Sequence, residues 1–175
     1  MMLGLPRGEV FLVPWTEEWE IEFLSEKEMI EDKLGKHIVA VHHIGSTAVK
    51  GLSAKPIIDI EVEIKEFRKG DHCIAPLEDL GHDYKGTKIL PERYYFSKGE
   101  PRTHQIHMYE RGNKYLLQQL KFRDHLRSDG NTLTKYEELK LQLSQINKSN
   151  KHKYAEAKTE FIESILNKED LEEGQ

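Results

Sequence analysis

The chain has 175 residues, of which 37% are hydrophobic and 33% charged, and its formal net charge is −5. This is the length of one domain, apolar enough to bury a core and too balanced in charge to stay disordered. A single cysteine excludes an internal disulfide framework, and the excess of acid argues against general nucleic-acid binding through the phosphate backbone.

The N-terminal stretch MMLGLPRGEVFLVPW has no basic start followed by a long apolar run, so it does not read as a signal peptide. No run approaches the roughly 18 apolar residues that span a bilayer. Both point to a cytoplasmic protein without membrane contact. Thr16 can cap a first helix whose opening turn carries Glu17 and Glu18, with Trp19, Phe23, Ile30 and Leu34 on one stripe and Gly35 as the stop. Residues 37–44 read as a buried strand ending abruptly at Gly45-Ser46. Residues 47–56 read as a loop or short helix. Residues 57–64 alternate: Ile58, Ile60, Val62 and Ile64 share one face, and Asp59, Glu61 and Glu63 the other.

A helix is expected over residues 65–80, ended by Gly81. Two strands follow, over 94–97 and 103–110, joined by turn residues 98–101. Past Gly112 the pattern is helical. Asn113 opens one helix, Thr134 with Glu137 forms a capping box for a second, and a third starts near Lys151. The fold class is therefore α+β in a single domain over residues 1–175. It comprises a sheet core over about 13–111, a helical part over 112–167 and a frayed acidic tail over 168–175.

The stretch HHIGSTAVKGLSAKPIIDIEVEI carries the chemistry. Gly45 lets a phosphate approach the backbone closely, and Ser46 offers a hydroxyl and an amide to it. Twelve residues separate Ser46 from Asp59. Asp59 and Glu61 lie two apart on a strand, so their carboxylates start about 6.5 Å apart on one face. At an effective dielectric of about 20 they repel by roughly 2–3 kcal/mol, which a shared divalent cation would offset. A strand with one solvated acidic face explains the same spacing, since Glu63 continues the row. Lys55, four residues before Asp59, is placed to meet a phosphate or an acid. Arg93 precedes Tyr94, Tyr95 and Phe96, where it faces the open side of the sheet or forms a surface ion pair. Arg123 and Arg127, four apart on one helix face, either line an acceptor pocket or pair with Asp124 and nearby glutamates, and the structural role is the preferred one. His104 and His107 fall on opposite faces of a regular strand and do not share one metal without a bulge. Of His42 and His43, a buried, hydrogen-bonded role is expected.

The spacing of Gly45-Ser46 and Asp59-Ile60-Glu61 resembles the signature of the nucleotidyltransferase superfamily. The fuller string HIGSTAVKGLSAKPIIDI is similar to that of the GrpB proteins. So are His104-Gln105-Ile106-His107, the run KFRDHLR, and Tyr154 with Ala157-Lys158 and Phe161-Ile162. The resemblance spans about residues 13–166 and implies a nucleotidyltransferase-like mixed sheet flanked by helices. It implies that Gly45 and Ser46 face a triphosphate and that Asp59 and Glu61 bind Mg²⁺. Lys55, Arg93 and His104 join the nucleotide- or substrate-binding set. Superfamily members usually carry a third carboxylate on a later strand; here that strand offers His104 and His107, either of which is a candidate base, with His107 placed in the catalytic set and Glu110 serving only if it lies at the right end of the strand. Two readings follow. One is an enzyme that binds Mg-NTP and transfers a nucleoside monophosphate to a small-molecule acceptor. The other is a non-catalytic nucleotide- or phosphate-binding module that retains the fold.

Overall fold

Trp19, Phe23, Ile30 and Leu34 return to one side of a helix with 3.6 residues per turn. The computed structural model, which describes residues 2–148 and 150–174, makes them the buried stripe of α1 (Glu18–Leu34). The Thr16 hydroxyl accepts from the Glu18 amide at 3.3 Å. A 3-10 turn beginning at Gly35 leads into β1 (Ile38–Ile44). The alternating segment forms β2 (Ile58–Ile64), whose isoleucines and Val62 join α1 in the main core. With β3 (Asp83–Gly86), β4 (Arg93–Lys98) and β5 (His104–Glu110), the sheet runs in the order β1-β2-β5-β4-β3. β2 and β5 are parallel, setting Asp59 beside Gln105 and Glu61 beside His107. The other pairings are antiparallel.

The helix expected over residues 65–80 is instead a 3-10 stretch, Phe67–Cys73, followed by the short α2 (Ile74–Asp79). Gly70 explains the tighter path: it presses against the Tyr94 ring so closely that a Cβ would lie 2.4 Å from a ring carbon. β3 escapes the sequence reading because its four residues are half-exposed or exposed and carry no apolar alternation.

Three helices complete the chain: α3 (Lys114–Ser128), α4 (Gly130–Ile146) and α5 (Lys151–Glu173). Asn113 caps α3 as expected, accepting from the Tyr115 amide at 2.9 Å. α4 starts earlier than the Thr134–Glu137 box implies. Asp129 caps it, accepting from the Asn131 amide at 3.0 Å and the Thr132 hydroxyl at 2.7 Å, while Thr134 donates back to the Gly130 carbonyl. The acidic tail is not frayed over its described length. It is helical through Glu173, and Lys121 on α3 holds it by pairing with Asp170 at 2.8 Å and Glu173 at 3.2 Å. Gln175 lies outside the described residues.

The main core fills the face of the sheet covered by α1 and α2. A second cluster joins Val49 and Leu52, beyond β1, to Phe122, Leu126, Tyr136, Ile165 and Leu166 of the C-terminal helices. Among the described residues no helix is long and apolar enough to cross a membrane.

Candidate functional site

β1 delivers the chain to Gly45, whose φ of 72° lies in the left-handed region that disfavours side chains. A Cβ there would also sit 3.1 Å from Asp59 Oδ2, so the loop backbone and the first acid of β2 are in close contact. Four side chains fix this loop. Arg123 Nη1 donates to the His43 carbonyl at 2.9 Å, and Arg127 donates twice to the Ala48 carbonyl, at 3.0 and 2.7 Å. The Trp15 indole donates to the Thr47 carbonyl at 3.1 Å, and His43 Nε2 bonds the Thr47 hydroxyl at 2.9 Å. Arg123 and Arg127 thus tie α3 to the end of β1 through backbone carbonyls, where ion pairing was expected of them, and Arg123 makes the expected pair with Asp124 as well, at 2.8 Å. His43 is buried, stacked on Phe23, and its imidazole is pushed down to about 3 chiefly by burial.

Beside this loop lies a cavity of about 210 Å³. Gly45, Ser46, Lys55, Asp59 and His107 all line it, so five of the eight candidate residues meet in one place. Its far wall comes from the C-terminal helices: Arg123 on α3, Tyr136 and Lys140 on α4, and Tyr154 and Lys158 on α5. Among the described residues Asp59 is the one acid in this lining. Burial works to raise its pKa, but the hydrogen bond and charge of His107, with Lys55 and Lys158, hold it below the usual carboxylate range. Gln105 donates to Asp59 Oδ1 at 3.1 Å, and the Tyr95 hydroxyl donates to Gln105.

The three lysines are held in an unusual state. Lys140 is 1% exposed, donates to the Ser53 carbonyl and lies over the Tyr136 ring; burial and then Lys158 push it down to about 7. Lys55 and Lys158 flank the Tyr154 ring at 5.5 and 4.9 Å. Burial and then Lys158 push Lys55 down to about 8, and burial also lowers Lys158. Cations crowded in this way favour an anion between them, which would restore their protons.

His107 reaches Asp59 Oδ1 through Nε2 at 3.4 Å, and its Nδ1 faces Arg93 Nη1 at 2.9 Å. A guanidinium only donates, so Nδ1 accepts and Nε2 carries the proton given to Asp59. Arg93 therefore orients His107 from the β4 side and lies outside the cavity lining. His104 departs furthest from its expected place. Strand alternation turns it to the α1 face, where it is 2% exposed, on the opposite side of the sheet from Asp59.

Glu61 is adjacent in sequence register but different in state. It is 0% exposed, and both carboxylate oxygens lack a hydrogen-bond partner among the described residues. Burial, with Asp59 and Glu63 adding and Arg123 opposing, pushes it up to about 9. It is protonated at neutral pH and, among the described residues, is not one that lines the cavity. Two acid side chains with free oxygens, one ionised and one orphaned, fit an oxygen-seeking divalent cation, provided that Glu61 gives up its proton. Lys140, Lys158, Tyr136, Tyr154 and Gln105 had no assigned role in the sequence reading. Gln105, Tyr154 and Lys158 stand in GrpB-like strings, a signal that reaches these three and not Lys140 or Tyr136.

The GrpB protein family profile matches residues 9–168. The chain is 36% identical over 160 residues to UPF0157 protein YqkA of Bacillus subtilis, covering 91% of this chain and 47% of that one. It thus spans about half the length of that relative. It is 31% identical over 172 residues to the glutamate-rich protein GrpB of Alkalihalophilus pseudofirmus, covering 95% of this chain and 99% of that one. The crystal structure of conserved protein GrpB from Enterococcus faecalis superposes with a TM-score of 0.78 at 32% identity, covering 89% of this chain and 99% of that one.

Proposed function

We propose that this chain, which belongs to the GrpB family, binds a nucleoside triphosphate in the cavity and transfers its nucleoside monophosphate to a small-molecule acceptor, whose hydroxyl oxygen bonds to the α-phosphorus as the bond to the β-phosphate breaks and pyrophosphate leaves. The observation that supports this reading is the convergence of Lys55, Lys140 and Lys158 beside Gly45 and Ser46, around the single acid Asp59. In a chain of net charge −5, so local a cationic site selects for a compact polyanion. The ammonium groups and the Ser46 hydroxyl would hold the phosphate oxygens, with Tyr136 and Tyr154 as apolar walls. Asp59 and Glu61 would hold Mg²⁺, which stabilises charge on the transferred phosphate. Arg93 holds His107, and His107 holds Asp59, so the carboxylate is oriented before a ligand arrives. For His107 to take the acceptor's proton, Nδ1 must release Arg93 or the ring must exchange tautomers.

The buried, protonated state of Glu61 favours a second reading, a non-catalytic module that binds a phosphorylated ligand without metal. Thermal unfolding separates the two. A ligand at 100 times its Kd adds about 2.7 kcal/mol, or roughly 5–10 °C for a chain of this length. The transferase reading expects a shift that needs both Mg²⁺ and Asp59, and that disappears in Asp59→Asn. A shift of equal size without metal leaves only the binding module, and no shift with any nucleoside triphosphate sinks the transferase reading.

A further inference from the structure

On the α1 face of the sheet, back to back with the cavity, α1 and β5 bring together Glu22, Glu26 and His104, whose ligand atoms all lie within 4.8 Å of one another. We propose that this cluster is a second metal site, distinct from the Asp59–Glu61 pair, which takes a divalent first-row transition ion of the Zn²⁺ type.

The hydrogen-bond network fixes what His104 offers. The Thr103 hydroxyl donates its one proton to the Lys98 carbonyl at 3.1 Å. It must then accept from His104 Nδ1, 2.9 Å away, so Nδ1 carries the ring proton and Nε2 is a bare lone pair. Among the described residues that lone pair has no hydrogen-bond partner, and it faces Glu22 Oε1 at 3.4 Å, acceptor against acceptor. A cation seated between the two acceptors would turn both into ligands, with Glu26 as the third. Two ligand atoms bound tetrahedrally to zinc at about 2.0–2.1 Å stand roughly 3.3 Å apart, close to the separation seen.

The surroundings suit such an ion. His104 is 2% exposed and Glu26 1%, while the Glu22 side chain is 34% exposed, which gives the ion a route in from solvent. An imidazole with two carboxylates matches Zn²⁺, which takes N and O donors, and does not match Mg²⁺, which seeks oxygen and water. Glu26 is already held by His82 Nε2 at 2.5 Å and by Lys98 Nζ at 2.9 Å to each oxygen. His82 orients the carboxylate from behind, as a supporting group does at a metal centre. Lys98 is the competitor. Its side chain is 27% exposed and can swing outward when an ion replaces its charge.

The test uses the full chain stripped by a chelator and then titrated with Zn²⁺ against a chromophoric competitor, with Co²⁺ absorption reporting geometry. The expected result is one equivalent per chain and a tetrahedral Co²⁺ spectrum. Affinity should fall roughly 100-fold or more in Glu22→Gln, and also in His104→Ala if that variant folds. Asp59→Asn should bind as wild type does, which separates this site from the cavity. Lys98→Met should bind more tightly, because the competing charge is gone. Absence of stoichiometric binding overturns the proposal. So does binding of unchanged affinity in Glu22→Gln, which would mean that the ion sits elsewhere.

Discussion

Glu61 is a side chain whose chemistry works against the fold in which it sits. In the unfolded chain it titrates at an ordinary 4.5; in the folded protein burial first, and the charges of Asp59 and Glu63 next, push it up to about 9. Below pH 4.5 both states hold the proton and the fold is not penalised. Between those values the unfolded chain loses it and the folded protein keeps it, so stability falls as pH rises, by at most about 1.4 kcal/mol per pH unit. Glu61→Gln removes the titration at nearly constant shape. It should therefore be more stable than wild type by about 1–3 kcal/mol near pH 8, with the gap closing toward pH 5. Urea unfolding at the two pH values measures it, and a gap independent of pH would show that Glu61 is not protonated in the fold. A carboxyl held in this state contributes nothing to folding at neutral pH, whereas a bound divalent cation would turn its unpaired oxygens into ligands.

The loop after β1 owes its shape to a neighbouring element. The carbonyls of Thr47 and Ala48 in it, and that of His43 just before it, are held by side chains from elsewhere, and Arg127 of α3 supplies two of the bonds, both to Ala48. Removing them in Arg127→Ala leaves the carbonyl without its charged donor and should cost about 1–3 kcal/mol in unfolding free energy. Affinity for a phosphate ligand should weaken along with it, because Gly45 and Ser46 lose their support. A variant within about 0.5 kcal/mol of wild type would show that the clamp is incidental. This dependence also separates what the sequence could disclose from what it could not. The β2 alternation and the stripe of α1 are local periods, legible in seven and 17 residues. The 3-10 path at Gly70 depends on Tyr94, 24 positions later, and no local pattern announces it. At the start of α4, the stronger of two adjacent caps, Asp129, overrides a capping box that is only a pattern of residue types.

At the scale of the molecule, the candidate site has a legible half and a hidden half. Gly45, Ser46, Lys55 and Asp59 fall in one short stretch, so their meeting follows from a strand, a loop and the next strand. Lys140 and Lys158 are two of many lysines on charged helices, and only the packing of α4 and α5 over the sheet turns them inward. The two hydrophobic clusters give that division a physical form, since one lies beneath the sheet and the other joins the C-terminal helices to Val49 and Leu52. The cavity is the polar seam where the sheet meets those helices. A ligand anchored by Ser46 and Asp59 on one side and by Lys140 and Lys158 on the other would bridge the seam and stabilise both sides at once. Amide hydrogen exchange with saturating nucleoside triphosphate should therefore slow together in residues 43–48 and in the turn of α5 carrying Tyr154 and Lys158. Slowing confined to the loop would mean that the helices only cover the site. Slowing of both by a similar factor would make the C-terminal helices part of the binding machinery, because a ligand held from two sides couples the openings of each to its own release.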